Sequence, residues 1–144
     1  MGHDLQNSEE SDDCIFCQIV SGDIPSVKIW EDEEHIAILD MFPTMEGQTL
    51  IITKEHYESY LFDMPRVAYK QLVLAAKKVG KYLDKGMRAE RVAMVGEGLG
   101  VNHAHIKLYP IAEGASDRFI STHQGPKKTI EELNKVAQKI KDNS

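Results

Sequence analysis

Two cysteines in 144 residues are too few for a disulfide-stapled scaffold. No apolar run approaches the roughly 20 residues that a membrane-crossing helix needs. Basic residues are outnumbered, 17 Lys and Arg against 23 Asp and Glu, for a net charge of -6. Nucleic-acid binders carry a basic face, so that class is disfavoured. A small anionic ligand is not excluded, because a few local donors can hold a phosphate. Residues 1–13 lack the positive start and the apolar stretch of a secretory signal. They mix Gly, Asn, Ser and acids, which predicts a disordered leader ahead of one domain over 14–144 and a cytoplasmic location.

What remains is an ordinary globular composition of a length that supports one core. Cys14 to Val20 reads as a short helix, broken by Gly22-Asp23-Ile24-Pro25. Val27–Trp30, His35–Leu39 and Thr49–Thr53 read as strands. From Pro65 to Leu83, Ala68, Leu72, Ala75, Ala76, Val79 and Leu83 recur at helical spacing, with Gly86 as the stop. Arg91–Val95 is a further strand, and Val101–Tyr109 alternates strictly up to Pro110. A last helix carries the stripe Ile130, Leu133, Val136 or Ala137, and Ile140, with Thr129 and Glu132 spaced as a capping box. No internal repeat or linker divides the chain, and the mixed order predicts an α+β class with an antiparallel sheet.

The chemistry concentrates in Asn102-His103-Ala104-His105-Ile106-Lys107-Leu108-Tyr109-Pro110. On a strand, His103, His105 and Lys107 share one face, spaced about 7 Å apart, and Ala104, Ile106 and Leu108 share the other. A row of nitrogen groups can engage successive phosphate oxygens, and an imidazole can attack phosphorus. The same pattern also describes the wet side of a half-buried sheet. Just upstream, Gly96, Gly98 and Gly100 either let backbone amides approach a phosphate or simply make a turn. Cys14 and Cys17 have the spacing of half a tetrahedral zinc site, to be completed from His35, His56, His103, His105 or His123; the alternative is a pair of buried thiols. Asp40, at a strand end, can accept from the two hydroxyls of a ribose or cap the loop that follows.

Taken together these segments resemble the histidine-triad (HIT) superfamily of nucleotide hydrolases and transferases. The likeness runs from about Cys14 to Pro110. It includes Cys14-Ile15-Phe16-Cys17, Gly22-Asp23-Ile24-Pro25, Ile36-Ala37-Ile38-Leu39-Asp40, Gly47-Gln48-Thr49-Leu50-Ile51-Ile52, Lys54-Glu55-His56 and His103-Ala104-His105-Ile106-Lys107-Leu108. The resemblance implies a five-stranded antiparallel sheet with a long helix and a C-terminal helix, assembled as a homodimer partly through the long helix. It makes His105 the nucleophile toward the α-phosphate of a purine nucleotide conjugate, with His103 and Lys107 beside it. It assigns Phe16, Ile19, Ile38 and Met41 to the base, Asp40 to the ribose, and the amides of Gly100 and Val101 to phosphate. A structural Zn2+ would be held by Cys14, Cys17, His56 and His103. Lys107 stands where the family has a third histidine, and Gln48 where many relatives have another. Lysine is a poor proton shuttle near neutral pH, so the substitution opens a second expectation, a nucleotide-binding protein with weak or no turnover. Arg118, His123, Lys127 and Lys128 are nitrogen-bearing side chains that could reach a substrate.

Overall fold

A computed structural model describes residues 13–115 and 120–144 of the chain. The expected leader, apart from Asp13, lies outside the described residues, as does Arg118. In chain order the elements are α1 (Ile15–Ser21), β1 (Lys28–Glu31), β2 (His35–Leu39), β3 (Thr49–Thr53), a 3-10 turn (Leu61–Asp63), α2 (Arg66–Gly86), β4 (Ala89–Val95), β5 (His105–Ala112) and α3 (Ile130–Asn143). The strands form one antiparallel sheet in the order β1-β2-β3-β5-β4. The expected α+β architecture, five strands with a long and a C-terminal helix, is the observed one. Among the described residues no helix is long and apolar enough to cross a membrane.

Every residue of β2 and β3 is buried, which explains their nearly unbroken apolar sequence. The period of two splits them between two clusters. Ala37, Leu39, Ile51, Ile106 and Leu108 point to the face covered by α2 and α3, where they meet Leu72, Ala75, Ala76, Val79, Leu83, Leu133 and Ile140. Ile36, Ile38, Leu50 and Ile52 point the other way and pack under Phe16 of α1. Helix α1 stops at Gly22, whose φ of +90° suits a residue without Cβ. Helix α3 opens on the expected capping box: Thr129 Oγ1 accepts from the Glu132 amide, and Glu132 accepts from the Thr129 amide.

Among the boundaries that differ from the sequence expectation, three have a clear physical reason. Gly86 does not stop α2; it is the helix's last residue. A Cβ there would come within 2.5 Å of Ile140 Cγ2 and 2.9 Å of its carbonyl oxygen, so the glycine permits α3 to approach closely. The left-handed position falls on Arg88 instead, at φ +50°. Strand β5 does not begin at Val101. The His103 amide folds back on the Val101 carbonyl at 2.9 Å, and regular pairing starts at His105. Nor does Pro110 end β5, which runs on to Ala112 with Pro110 opposite Val92. The β3–β5 ladder ends at Leu108, so beyond it β5 has a neighbour on one side only, where a residue without N–H is tolerated.

Candidate functional site

The register sets the site out as rows across the sheet. Ile38 pairs with Leu50 and Leu50 with Lys107; Ile36 pairs with Ile52 and Ile52 with His105. One step further, the Asp40 amide bonds the Gln48 carbonyl at 2.9 Å, and Tyr109 follows Leu108 in the next row of β5. Asp40, Gln48, Lys107, His105 and Tyr109 therefore all project on the Phe16 face. Phe16 touches both histidine rings edge-on, with centroids 5.0 Å from His105 and 5.9 Å from His103. Ile19 and Val101 complete the apolar patch with Ile38. Met41, expected on that patch, packs instead against the cluster under α2 and α3. It follows the end of β2, and its carbonyl accepts from the Lys128 amide as the C-terminal segment docks.

His105 is buried and its Nδ1 lies 2.7 Å from the His103 carbonyl oxygen. A carbonyl only accepts, so Nδ1 carries the proton and Nε2 keeps its lone pair. Burial holds the imidazole below its ordinary pKa, and the Lys107 charge pushes the same way; the His103 carbonyl, Glu97 and Asp40 oppose it. The ring is thus neutral near pH 7. His103 is oriented in the opposite sense. Its Nε2 lies 2.7 Å from the Thr53 carbonyl, which fixes the proton there and turns the Nδ1 lone pair outward. Burial lowers its pKa to about 4.

That Nδ1 lone pair faces sulfur. It lies 3.3 Å from Cys14 Sγ and 3.4 Å from Cys17 Sγ, and His56 Nδ1 lies 3.3 Å from Cys17 Sγ. The four donor atoms fall within 4.8 Å of one another. Metal–sulfur bonds of about 2.3 Å and metal–nitrogen bonds of about 2.0 Å place tetrahedral neighbours roughly 3.5 Å apart. The cluster therefore fits a closed four-ligand metal site, and its donors are those such an ion selects. Of the five candidate histidines, His56 and His103 converge on the cysteines. His35 pairs with Asp32 at 3.0 Å in the β1–β2 turn, and His123 is exposed.

The glycine loop has two functions by position. A Cβ on Gly96 would meet Leu61 at 2.3 Å, and one on Gly98 the Ser59 carbonyl at 2.6 Å. These two glycines let the loop pack on residues 59–61, where Ser59 also bonds Gly98 and Asn102. Gly100 has nothing within 4 Å of its would-be Cβ and stands open beside Val101. Asp40 is held on both oxygens: Oδ1 accepts from the Phe42 amide at 2.8 Å and Oδ2 from Gln48 Nε2 at 2.7 Å. Gln48 in turn accepts from Thr44, so it fixes the loop that carries Asp40. A cavity of about 570 Å³ lies between this loop and α3; Asp40, Gln48 and Lys128 line it, whereas His105 and Lys107 do not.

Sequence reading missed two residues. Glu97 Oε1 lies 3.2 Å from Lys107 Nζ, pairing the glycine loop with β5. Tyr109 is fully buried, its hydroxyl has no hydrogen-bond partner among the described residues, and burial pushes its pKa up to about 12. The parity that selects His105 and Lys107 also selects Tyr109; no local signal pairs Glu97 with Lys107.

A family model described as the HIT domain matches residues 21–112. An uncharacterised HIT-like protein of Methanocaldococcus jannaschii is 35% identical over 105 residues, covering 70% of this chain and 81% of the relative. A hypothetical histidine triad nucleotide-binding protein of Sulfolobus tokodaii superposes with a TM-score of 0.75 at 26% identity, over 90% of this chain and 91% of that one. A Zn-bound histidine triad family protein of Mycobacterium smegmatis superposes at 0.71 with 27% identity, over 92% and 96%.

Proposed function

The chain belongs to the HIT-domain family, a fold of the nucleotide hydrolase and transferase type, and from that premise we propose that it attacks the α-phosphate of a purine nucleotide conjugate through His105. The conjugate is a nucleoside phosphoramidate, a dinucleoside polyphosphate or a related nucleotide ester. The observation that carries this reading is the 2.7 Å bond from His105 Nδ1 to the His103 carbonyl, which leaves Nε2 as a neutral nucleophile on the face shared with Asp40. Nε2 forms a bond to phosphorus as the bond to the leaving group breaks, and the leaving group takes up a proton. Water or another acceptor then attacks phosphorus, the N–P bond breaks, and the imidazole is regenerated.

Phe16, Ile19 and Ile38 hold the base and Asp40 the ribose. The amides of Gly100 and Val101, with Lys107, meet the phosphate charge. The ligand cluster suits Zn2+, and the mycobacterial neighbour is a Zn-bound protein. Cys14, Cys17, His56 and His103 would hold it, and a closed Cys2His2 set supplies structural cross-linking in place of an activated water. It would fasten α1, which carries Phe16, to the segment that leads into β5. His103 would thus act as a positioning residue, its ring available to hold the metal and its carbonyl bonded to His105 Nδ1. We further propose a homodimer through edge strand β4 and α2, where Met94 and Val67 are 54% and 66% exposed.

The test is incubation of the protein with an adenylated amine and with a diadenosine polyphosphate. AMP release, and protein quenched in alkaline denaturant carrying one nucleotide in wild type but none in His105→Ala, is the expected result. Nucleotide binding without release from any conjugate would instead favour the non-catalytic reading that Lys107 raises.

A further inference from the structure

Lys107 enters the His105 face as a part-buried cation, its side chain 17% exposed. Its ammonium has three N–H donors and no acceptor. It forms an ion pair with Glu97, Nζ lying 3.2 Å from Oε1, and donates a hydrogen bond to the Thr122 carbonyl at 3.4 Å. Glu97, itself 21% exposed, is fixed independently of the lysine: its Oε2 accepts from the Leu99 amide at 2.9 Å. The loop beneath it is locked on Leu61 and Ser59 by the close approach of Gly96 and Gly98. Burial raises the Glu97 carboxyl, but the Leu99 amide and the Lys107 charge outweigh it and hold it below the ordinary carboxylate range, so it is ionised.

A lone buried ammonium beside the reacting phosphate would bind a substrate well and a product better. A nucleoside monophosphate carries a charge of about -1.5 to -2 near neutral pH, more than a phosphodiester or phosphoramidate monoanion. We propose that Glu97 is a charge-balancing and positioning residue, which holds Lys107 on the nucleophile face and cancels its charge so that the product nucleotide is released. The inference rests on the nucleotide reading above and adds to it the reason that a lysine can stand in this site without trapping product.

Glu97→Gln retains an oxygen for the Leu99 amide and removes only the charge, so a loop-capping role would leave it silent. Two measurements on the full chain decide the matter. In the first, Lys107 acylation by acetic anhydride is followed by mass spectrometry at fixed pH. Release from its carboxylate partner should make Lys107 react faster in Glu97→Gln than in wild type, and equal rates overturn the pairing. In the second, AMP binding is measured by calorimetry. Affinity should rise roughly tenfold in Glu97→Gln and fall back when Lys107→Gln is added, while kcat and KM drop together as product release slows. Unchanged AMP affinity in Glu97→Gln, or a gain that survives Lys107→Gln, overturns the charge-balancing role. A wild type that binds no AMP removes the nucleotide reading and this role with it, while the acylation rate still reports separately on the pair.

Discussion

The same strands build two unlike faces. Under α2 and α3, Ala37, Leu39, Ile51, Ile106 and Leu108 meet aliphatic side chains. Under Phe16, alternate residues of those strands interleave Ile36, Ile38, Leu50 and Ile52 with His105, Lys107, Asp40 and Gln48. The first face is held by area buried, the second by single directional bonds such as His105 to the His103 carbonyl and His103 to the Thr53 carbonyl. Adjacent residues of β5 thus answer to different physics, and a substitution should reveal which face it strikes.

The largest effect should come from the aliphatic face. Ile106→Ala removes a side chain that is 1% exposed and should cost about 2–5 kcal/mol. Thermal unfolding would show it, while the chemistry per folded molecule stays intact; a parallel loss of chemistry would mean that the faces are coupled.

The next effect belongs to the His103 side and depends on pH. Its folded pKa, about 4, lies below the ordinary 6.5 of an unfolded histidine. Between those values the unfolded chain binds the proton first, so stability rises with pH. Metal-free protein, prepared with a chelator, should therefore lose stability on the order of 3 kcal/mol as pH falls from 6.5 to 4. Denaturant midpoints across that range would check this; a flat profile would mean that the ring is not held neutral by burial. Zn2+ should shift the onset to lower pH, because the proton must then compete with the ion for Nδ1.

The smallest effect sharpens the contrast at a single atom. Tyr109 buries a hydroxyl with no partner, so Tyr109→Phe should be neutral or stabilising by up to about 1 kcal/mol. A fall in melting temperature would show that the hydroxyl finds a partner in solution.

Much of this was legible beforehand because it is local or periodic. The bounds of β2 and β3 and the Thr129–Glu132 cap were readable from neighbouring residues. Cys14 and Cys17 were readable from their spacing, whereas the choice of His56 and His103 among five histidines came from likeness to a family; the convergence of the four confirms only that they can meet. What escaped reading depends on segments far apart in the chain. Gly86 looks like a helix stop until Ile140 is placed against it. Gln48 looks like a lost histidine until its side chain is seen gripping Asp40. The turn at Val101–His103 follows from Ala104 bonding Tyr57, across a separation no local pattern encodes.

The strand order carries a further consequence, for biosynthesis. β5 is the last strand made, yet it sits inside the sheet, between β3 and β4. Until it emerges, the nascent chain presents open edges on both sides of the vacancy and lacks His105. Closing the sheet requires insertion of the strand that bears His105, a long-range step of the slow kind. A chain truncated before residue 105 would lack His105 and, with two strand edges left open, would be prone to stick to its copies.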